Sequence, residues 1–271
     1  MQRQPAVAGQ FYPGDARTLR QTVLELLSPP AKVMTAAGIV SPHAGYRYSG
    51  GIAGETFARI RVPEKVVVLG PNHQGIGHRA AVYPRGSWLS PLGETPVDEV
   101  LAARILQACP VLAADTVAHS REHSLEVQLP FILMRSPGAT IVPICLGSLS
   151  LEELLALGEG LGKALLETPE EVLIVASSDM THYEEAETAR TKDMRAIARI
   201  LDLDAEGLFR TVRDGAITMC GVLPTVVMLV AVRSLGALRG ELVRYGNSGE
   251  VSGDHDAVVG YAGVVVPIPE R

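Results

Sequence analysis

Runs of β-branched and aliphatic residues recur along the chain, separated by stretches in which apolar positions return every three or four residues. Gly38–Val40, Lys65–Gly70, Ala139–Gly147, Glu171–Ser177 and Ala257–Val266 are short and almost continuously apolar. Strands covered on both faces read this way, whereas half-exposed strands alternate. Between the runs lie helix signals. Asp15 can cap a helix through Leu26 and Leu27, and Ser150 with Glu153 three positions on forms a capping box before LLALGEGLGKALL. Asp204 can cap a further short helix, and the run after Pro224 meets a stop at Gly236. Strands alternating with helices in this way predict an α/β fold, a three-layer α/β/α sandwich around a mostly parallel or mixed sheet. No repeat or linker-like segment divides residues 1–271, so the expectation is one domain.

Composition narrows the functional classes. Apolar residues make up 47% and aromatics 4% of the 271 residues, so the core must be aliphatic. The net charge is −6 and no dense Lys/Arg run occurs, which argues against nucleic acid as a partner. Three widely spaced cysteines, Cys109, Cys145 and Cys220, form neither a disulfide framework nor a C-x-x-C pair, and a reducing cytoplasm is the expected setting. The first residues, MQRQPAVAGQFYPGD, lack the apolar core of a signal peptide. Residues 215–232 carry no charge, but Gly215, Gly221 and Pro224 interrupt them, so the expectation is a buried helix rather than a membrane span.

Candidate chemistry follows from where the histidines fall. His43, His73 and His182 each come after the carboxyl end of an expected strand, in the contexts GIVSPH, VVVLGPNH and VLIVASSDMTH. In open α/β sheets those ends form the ligand crevice, so the three loops are expected to share one rim. Neutral imidazole is a ligand for iron, copper, nickel or zinc, and carboxylates complete such shells. Asp179 lies three residues before His182, Glu122 adjoins His123, and Glu250, Asp254 and Asp256 cluster with His255, so a face of two histidines and one carboxylate is obtainable. His123 reads either as a pocket residue or as a structural partner of Glu126 or Gln128, and His78, His119 and His255 read as surface or structural residues. Gly75-x-Gly77 is followed by no helix opening, which excludes a Rossmann nucleotide site. Ser177 and Ser178 sit in no G-x-S-x-G elbow.

The same residues carry a resemblance. AGQFYP, SPHAGYRYSG, LGPNH, EHSLEVQLPF, SSDMTH, Cys220-Gly221, YGNSGEVSGD and GYAG occur in order from residue 8 to residue 263, and together they resemble the Memo family. The resemblance implies a fold similar to class III extradiol dioxygenases, which use non-heme iron. It places His43 and His73 on metal-ligand positions and His182 on the acid/base position, with Asp179 and His123 as further polar pocket residues. In animal relatives the third ligand is a cysteine, whose counterpart here is read as Val251; neighbouring Glu250 is then the expected replacement. Fe(II) is the metal implied, with copper or zinc as alternatives. Three functions follow as expectations: an oxygen-dependent enzyme on a small substrate, a peptide-binding or regulatory protein retaining the pocket, and a metal-assisted hydrolase. A partner in a radical-SAM modification pathway is a further implication of the resemblance.

Overall fold

The apolar runs become strands because both faces of each are covered, and the helix signals become the covers. The computed structural model describes residues 1–27 and 32–268. Its strands are β1 (Gln2–Arg3), β2 (Ala36–Ser41), β3 (Lys65–Pro71), β4 (Ala80–Val82), β5 (Ser87–Ser90), β6 (Gly93–Pro96), β7 (Ala113–Ala114), β8 (Thr140–Leu146), β9 (Val172–Ser177), β10 (His182–Glu184), β11 (Glu241–Asn247) and β12 (Val258–Pro267). Its helices are α1 (Ala16–Leu26), α2 (Tyr46–Ala58), α3 (Glu99–Ala108), α4 (Leu129–Arg135), α5 (Leu151–Leu166), α6 (Ala186–Leu201), α7 (Ala205–Asp214), α8 (Val222–Ser234) and α9 (Gly249–Ser252).

The large sheet runs in the order β10-β12-β2-β9-β3-β8-β4-β7, with β11 also paired to β12. Its centre is parallel: β2 pairs with β9, β9 with β3, and β3 with β8. Antiparallel pairing begins on either side, where β12 joins β2 and β4 joins β8. The sheet is therefore mixed, as expected. A separate small sheet, β1-β5-β6, is built from the amino terminus and the β5-β6 hairpin.

All six residues of β2 and of β9 are buried, which requires a layer on each face. Helix α8 packs on β2, β3 and β9 and is itself covered by α5, while α2 packs on β2, β11 and β12. The uncharged stretch around Pro224 is thus the inner helix of a layer, and among the described residues no helix is long and apolar enough to cross a membrane. The expected caps form: Asp15 accepts from Thr18 N–H, Asp204 from Gly207 N–H, and Ser150 with Glu153 makes the reciprocal box. Parallel pairing aligns the carboxyl ends of β2, β9 and β3, so the loops after Ser41, Ser177 and Pro71 leave the sheet side by side.

Candidate metal centre

Those loops deliver the histidines. Pro42 follows β2, and His43, 2% exposed, points back into the protein. Asp179, in the loop after β9, accepts the His43 backbone N–H at 2.7 Å and that of Ala44 at 3.3 Å, which ties the two loops together. After β3, Asn72 closes a tight turn by accepting from Gly75 N–H and donating to the Ile76 carbonyl. His73 beside it donates its backbone N–H to Glu122 at 2.7 Å. Glu122 brings its neighbour His123. One ligand nitrogen from each of His43, His73 and His123 lies within 4.8 Å of the others. The His43 ring centroid is 5.2 Å from that of His73 and 5.4 Å from that of His123, and His73 and His123 are stacked at 4.7 Å.

The hydrogen bonds decide which nitrogen of each ring is free. Ser177 Oγ donates its one proton to the Ser124 carbonyl at 2.6 Å and accepts from Gln128 Nε2 at 2.9 Å. It can therefore only accept from His43 Nδ1, 2.9 Å away, so His43 carries its proton on Nδ1 and presents Nε2 as a lone pair. Likewise His73 Nδ1 lies 2.8 Å from the Glu122 carboxylate, which leaves its Nε2 free. His123 Nδ1 is 3.5 Å from the same carboxylate. Outer partners of this kind, a carboxylate and a hydroxyl behind the rings, orient imidazoles for metal binding.

Electrostatics favour the same use. Burial, reinforced by His123, His73 and His182, holds His43 well below its ordinary pKa, so it is neutral at pH 7. Burial also lowers His123. Glu122 is fully buried. Burial alone would raise its carboxyl, but the His73 hydrogen bond and charge, the Ser124 N–H and His123 prevail and hold it at about 2. Asp179 goes the other way: burial pushes it up to about 6 against the opposing pull of the His43 and Ala44 N–H groups and His182.

Two positions differ from the sequence expectation. Glu250 does not join the imidazoles; on α9 its carboxylate takes Arg244 Nη2 at 3.3 Å and the Asn247 N–H at 3.1 Å. Val251 beside it is 40% exposed. The thiol at the site is Cys220, whose Sγ is 3.2 Å from His43 Nε2 and 3.7 Å from the Asp179 carbonyl. Cys220 is thus the thiol in contact with His43, a position that the resemblance did not name as a ligand. Gly221 makes the contact possible, since any Cβ there would collide with the Ser177 carbonyl and the Ser178 side chain. Burial first, and Asp179 second, raise the Cys220 thiol well above its ordinary value. The signal for Cys220 was its adjacency to a glycine at the start of α8. His182 is placed near the group but outside it: its Nδ1 meets the Thr218 carbonyl at 3.0 Å and its N–H meets Thr218 Oγ1 at 2.7 Å. Because a carbonyl only accepts, His182 Nε2 is the lone-pair nitrogen.

A model of the Memo-like protein family matches residues 3–265. The chain belongs to this family. Among Memo-like relatives, a MEMO1 family protein of Aquifex aeolicus is 44% identical over 97% of this chain and 98% of its own length. Another, of Methanopyrus kandleri, is 40% identical over 98% and 99% respectively. Among solved structures, an uncharacterized protein of Escherichia coli K12 superposes with a TM-score of 0.52 at 15% identity, covering 82% of this chain and 98% of that one. That likeness extends to fold alone. Four of the signature segments singled out in the sequence meet at the centre: SPHAG brings His43, LGPNH brings His73, EHSLEVQ brings Glu122 and His123, and SSDMTH brings Ser177 and Asp179.

Proposed function

We propose that this Memo-like chain binds one divalent metal ion through His43, His73 and His123, with Cys220 Sγ alongside, and acts there on a small substrate as a non-heme iron-dependent redox enzyme. The observation that carries the reading is the convergence of three imidazoles, two of them held by Nδ1 so that Nε2 is free. Three imidazoles so close repel one another when protonated, and burial disfavours the charge further, so the group is poor at holding protons and suited to a metal cation. With bonds of about 2.1 Å, ligand nitrogens around one ion lie about 3.0–3.4 Å apart; separations reaching 4.8 Å close to that with ångström-scale side-chain rotation. Bound iron would supply Lewis acidity and one-electron chemistry at coordination positions the protein leaves open.

The chain's own residues supply the rest. Ser177 and Glu122 fix the rings of His43 and His73 from behind. His182, with Nε2 unprotonated, takes a proton from the substrate and returns it. Asp179, at about 6, sits with Oδ2 4.0 Å from His43 Nε2 and accepts hydrogen bonds from donors entering beside it.

The test is metal analysis of untagged protein, followed by oxygen uptake after anaerobic loading with Fe(II) and a panel of catechols. Stoichiometric metal, lost in the His43→Ala/His73→Ala double variant, and uptake that falls at least 100-fold in His182→Ala support the reading. Equal absence of metal from both proteins after soaking defeats it. A second reading, metal-assisted hydrolysis, is favoured by the three-imidazole set itself, which suits zinc. Ester or phosphate cleavage by zinc-loaded protein, with no oxygen uptake by the iron form, would select it. A stable peptide or protein complex that survives His43→Ala would instead point to a binding role.

A further inference from the structure

Behind the metal centre lies a second buried polar cluster, formed where the amino terminus crosses the segment 119–128. Arg3, 5% exposed, pairs in register with Trp88 and sets its guanidinium 4.1 Å from the indole centroid. All three guanidinium nitrogens donate into that segment: Nε to the His119 carbonyl at 2.7 Å, Nη2 to the Glu122 carbonyl at 2.6 Å, and Nη1 to Glu126 Oε2 at 2.7 Å. Glu126 is fully buried and also accepts from Ala6 N–H, Val7 N–H and Tyr12 Oη, at 2.7, 3.0 and 2.7 Å. The far end of the strap reaches the centre itself. The Phe11 ring lies 4.8 Å from His123, and the Phe11 carbonyl accepts Tyr46 N–H at the start of α2, three residues after His43.

The segment so gripped supplies much of what orients the imidazoles. Glu122 holds His73, His123 is itself in the group, and Ser124 with Gln128 sets the Ser177 hydroxyl that holds His43. A break between a buried ion and its partner is costly for a fold, and a chain that needed only a closed core could have met Trp88 with an apolar side chain. The planar fork is what three differently placed acceptors require.

We propose that the amino-terminal strap, residues 1–12, is a positioning element of the metal centre, with Arg3 as the positioning residue that sets Glu122 and His123 through their backbone and Phe11 as the strap's contact with the His123 ring. For its affinity readout the inference rests on the metal reading above; a second readout does not. Lysine in place of Arg3 keeps the charge but cannot serve three acceptors in fixed directions.

Titrate the metal-free full-length protein with Co(II), following its absorption bands, in wild type, Arg3→Lys, Phe11→Leu and, as a control for simple destabilisation, Leu161→Ala in α5. In parallel, record ring resonances in 15N-histidine-labelled metal-free protein, with His123 assigned through His123→Gln. The expectation is a 10- to 100-fold weaker Co(II) affinity and altered bands in Arg3→Lys, a smaller loss in Phe11→Leu, and wild-type binding in Leu161→Ala. The His123 and His73 resonances should move in Arg3→Lys and stay in Leu161→Ala. If wild type and Arg3→Lys bind Co(II) equally and His123 does not move, the strap is not a positioning element. If wild type binds no Co(II), the metal reading falls, and the ring resonances alone decide: movement confined to the strap variants sustains the inference, and none overturns it.

Discussion

At the amino ends of β3 and β9, Lys65 is paired with Asp98 and Glu170, and Arg61 with Glu171. At the carboxyl ends of β2 and β3, His43 and His73 face each other and His123, three imidazoles with one ligand nitrogen each within 4.8 Å of the others. The amino-end side even opens onto a cavity of about 720 Å³ lined by Arg61, Lys65, Asp98, Thr140 and Glu171. Opposite charges that satisfy each other need no further ligand, and half-exposed pairs such as Arg61–Glu171 gain little from meeting at all. Groups of one kind, crowded and desolvated, are stable only while uncharged or when something cationic takes the lone pairs.

The difference can be broken most severely at Glu122. Glu122→Gln keeps the shape but weakens the grip on His73 Nδ1, and metal affinity by calorimetry should fall about 10- to 100-fold, the usual cost of losing an outer carboxylate. Below that in magnitude is acid lability. His43 and His123 are lowered by burial, and His119, fully buried with Arg3 nearby, is lowered to about 3. In the unfolded chain these rings take up protons near pH 6.5, so stability is fully present above that and is lost as pH falls toward 3. Denaturant melts of metal-free protein should show a loss on the order of 4 kcal/mol across this window from His119 alone, and His119→Gln should flatten it. Glu122 adds a second acid limb, present above 4.5 and lost on approach to about 2. At the other end, Lys65→Met should cost about 1–2 kcal/mol by leaving Asp98 short of a partner, and Arg61→Ala less than about 1 kcal/mol. Neither should change metal affinity; a shift in either would erase the contrast between the two ends.

How much of this was legible in the sequence varies with how local the cause is. Strands β2, β3, β8, β9 and β12 were read within about two residues, because covering both faces forces a continuous apolar run. Helix α2 gave no such signal: Gly50, Gly51 and Gly54 lower its propensity, and Gly54 is there because a Cβ would strike the Leu26 carbonyl at the end of α1. His43 and His73 were found by position at strand ends. His123 was left between two roles because its loop follows the two-residue strand β7 rather than one of the central strands, and only the fold sets its ring beside those of His43 and His73. Cys220 was missed and Glu250 preferred for one reason. Glu250 adjoins Val251, the position that the resemblance set opposite a ligand cysteine, whereas the contact of Cys220 with His43 spans 177 residues and depends on the missing side chain of Gly221. The Arg3–Glu126 clasp spans 123 residues and was equally invisible.

The most direct measurement is anomalous diffraction at the iron edge from crystals loaded anaerobically with Fe(II). The account predicts one strong peak within bonding distance of nitrogens of His43, His73 and His123, with Cys220 Sγ close by. A peak among Asp98, Glu170 and Glu171 at the opposite end, a peak at Glu250, or no peak at all would contradict it.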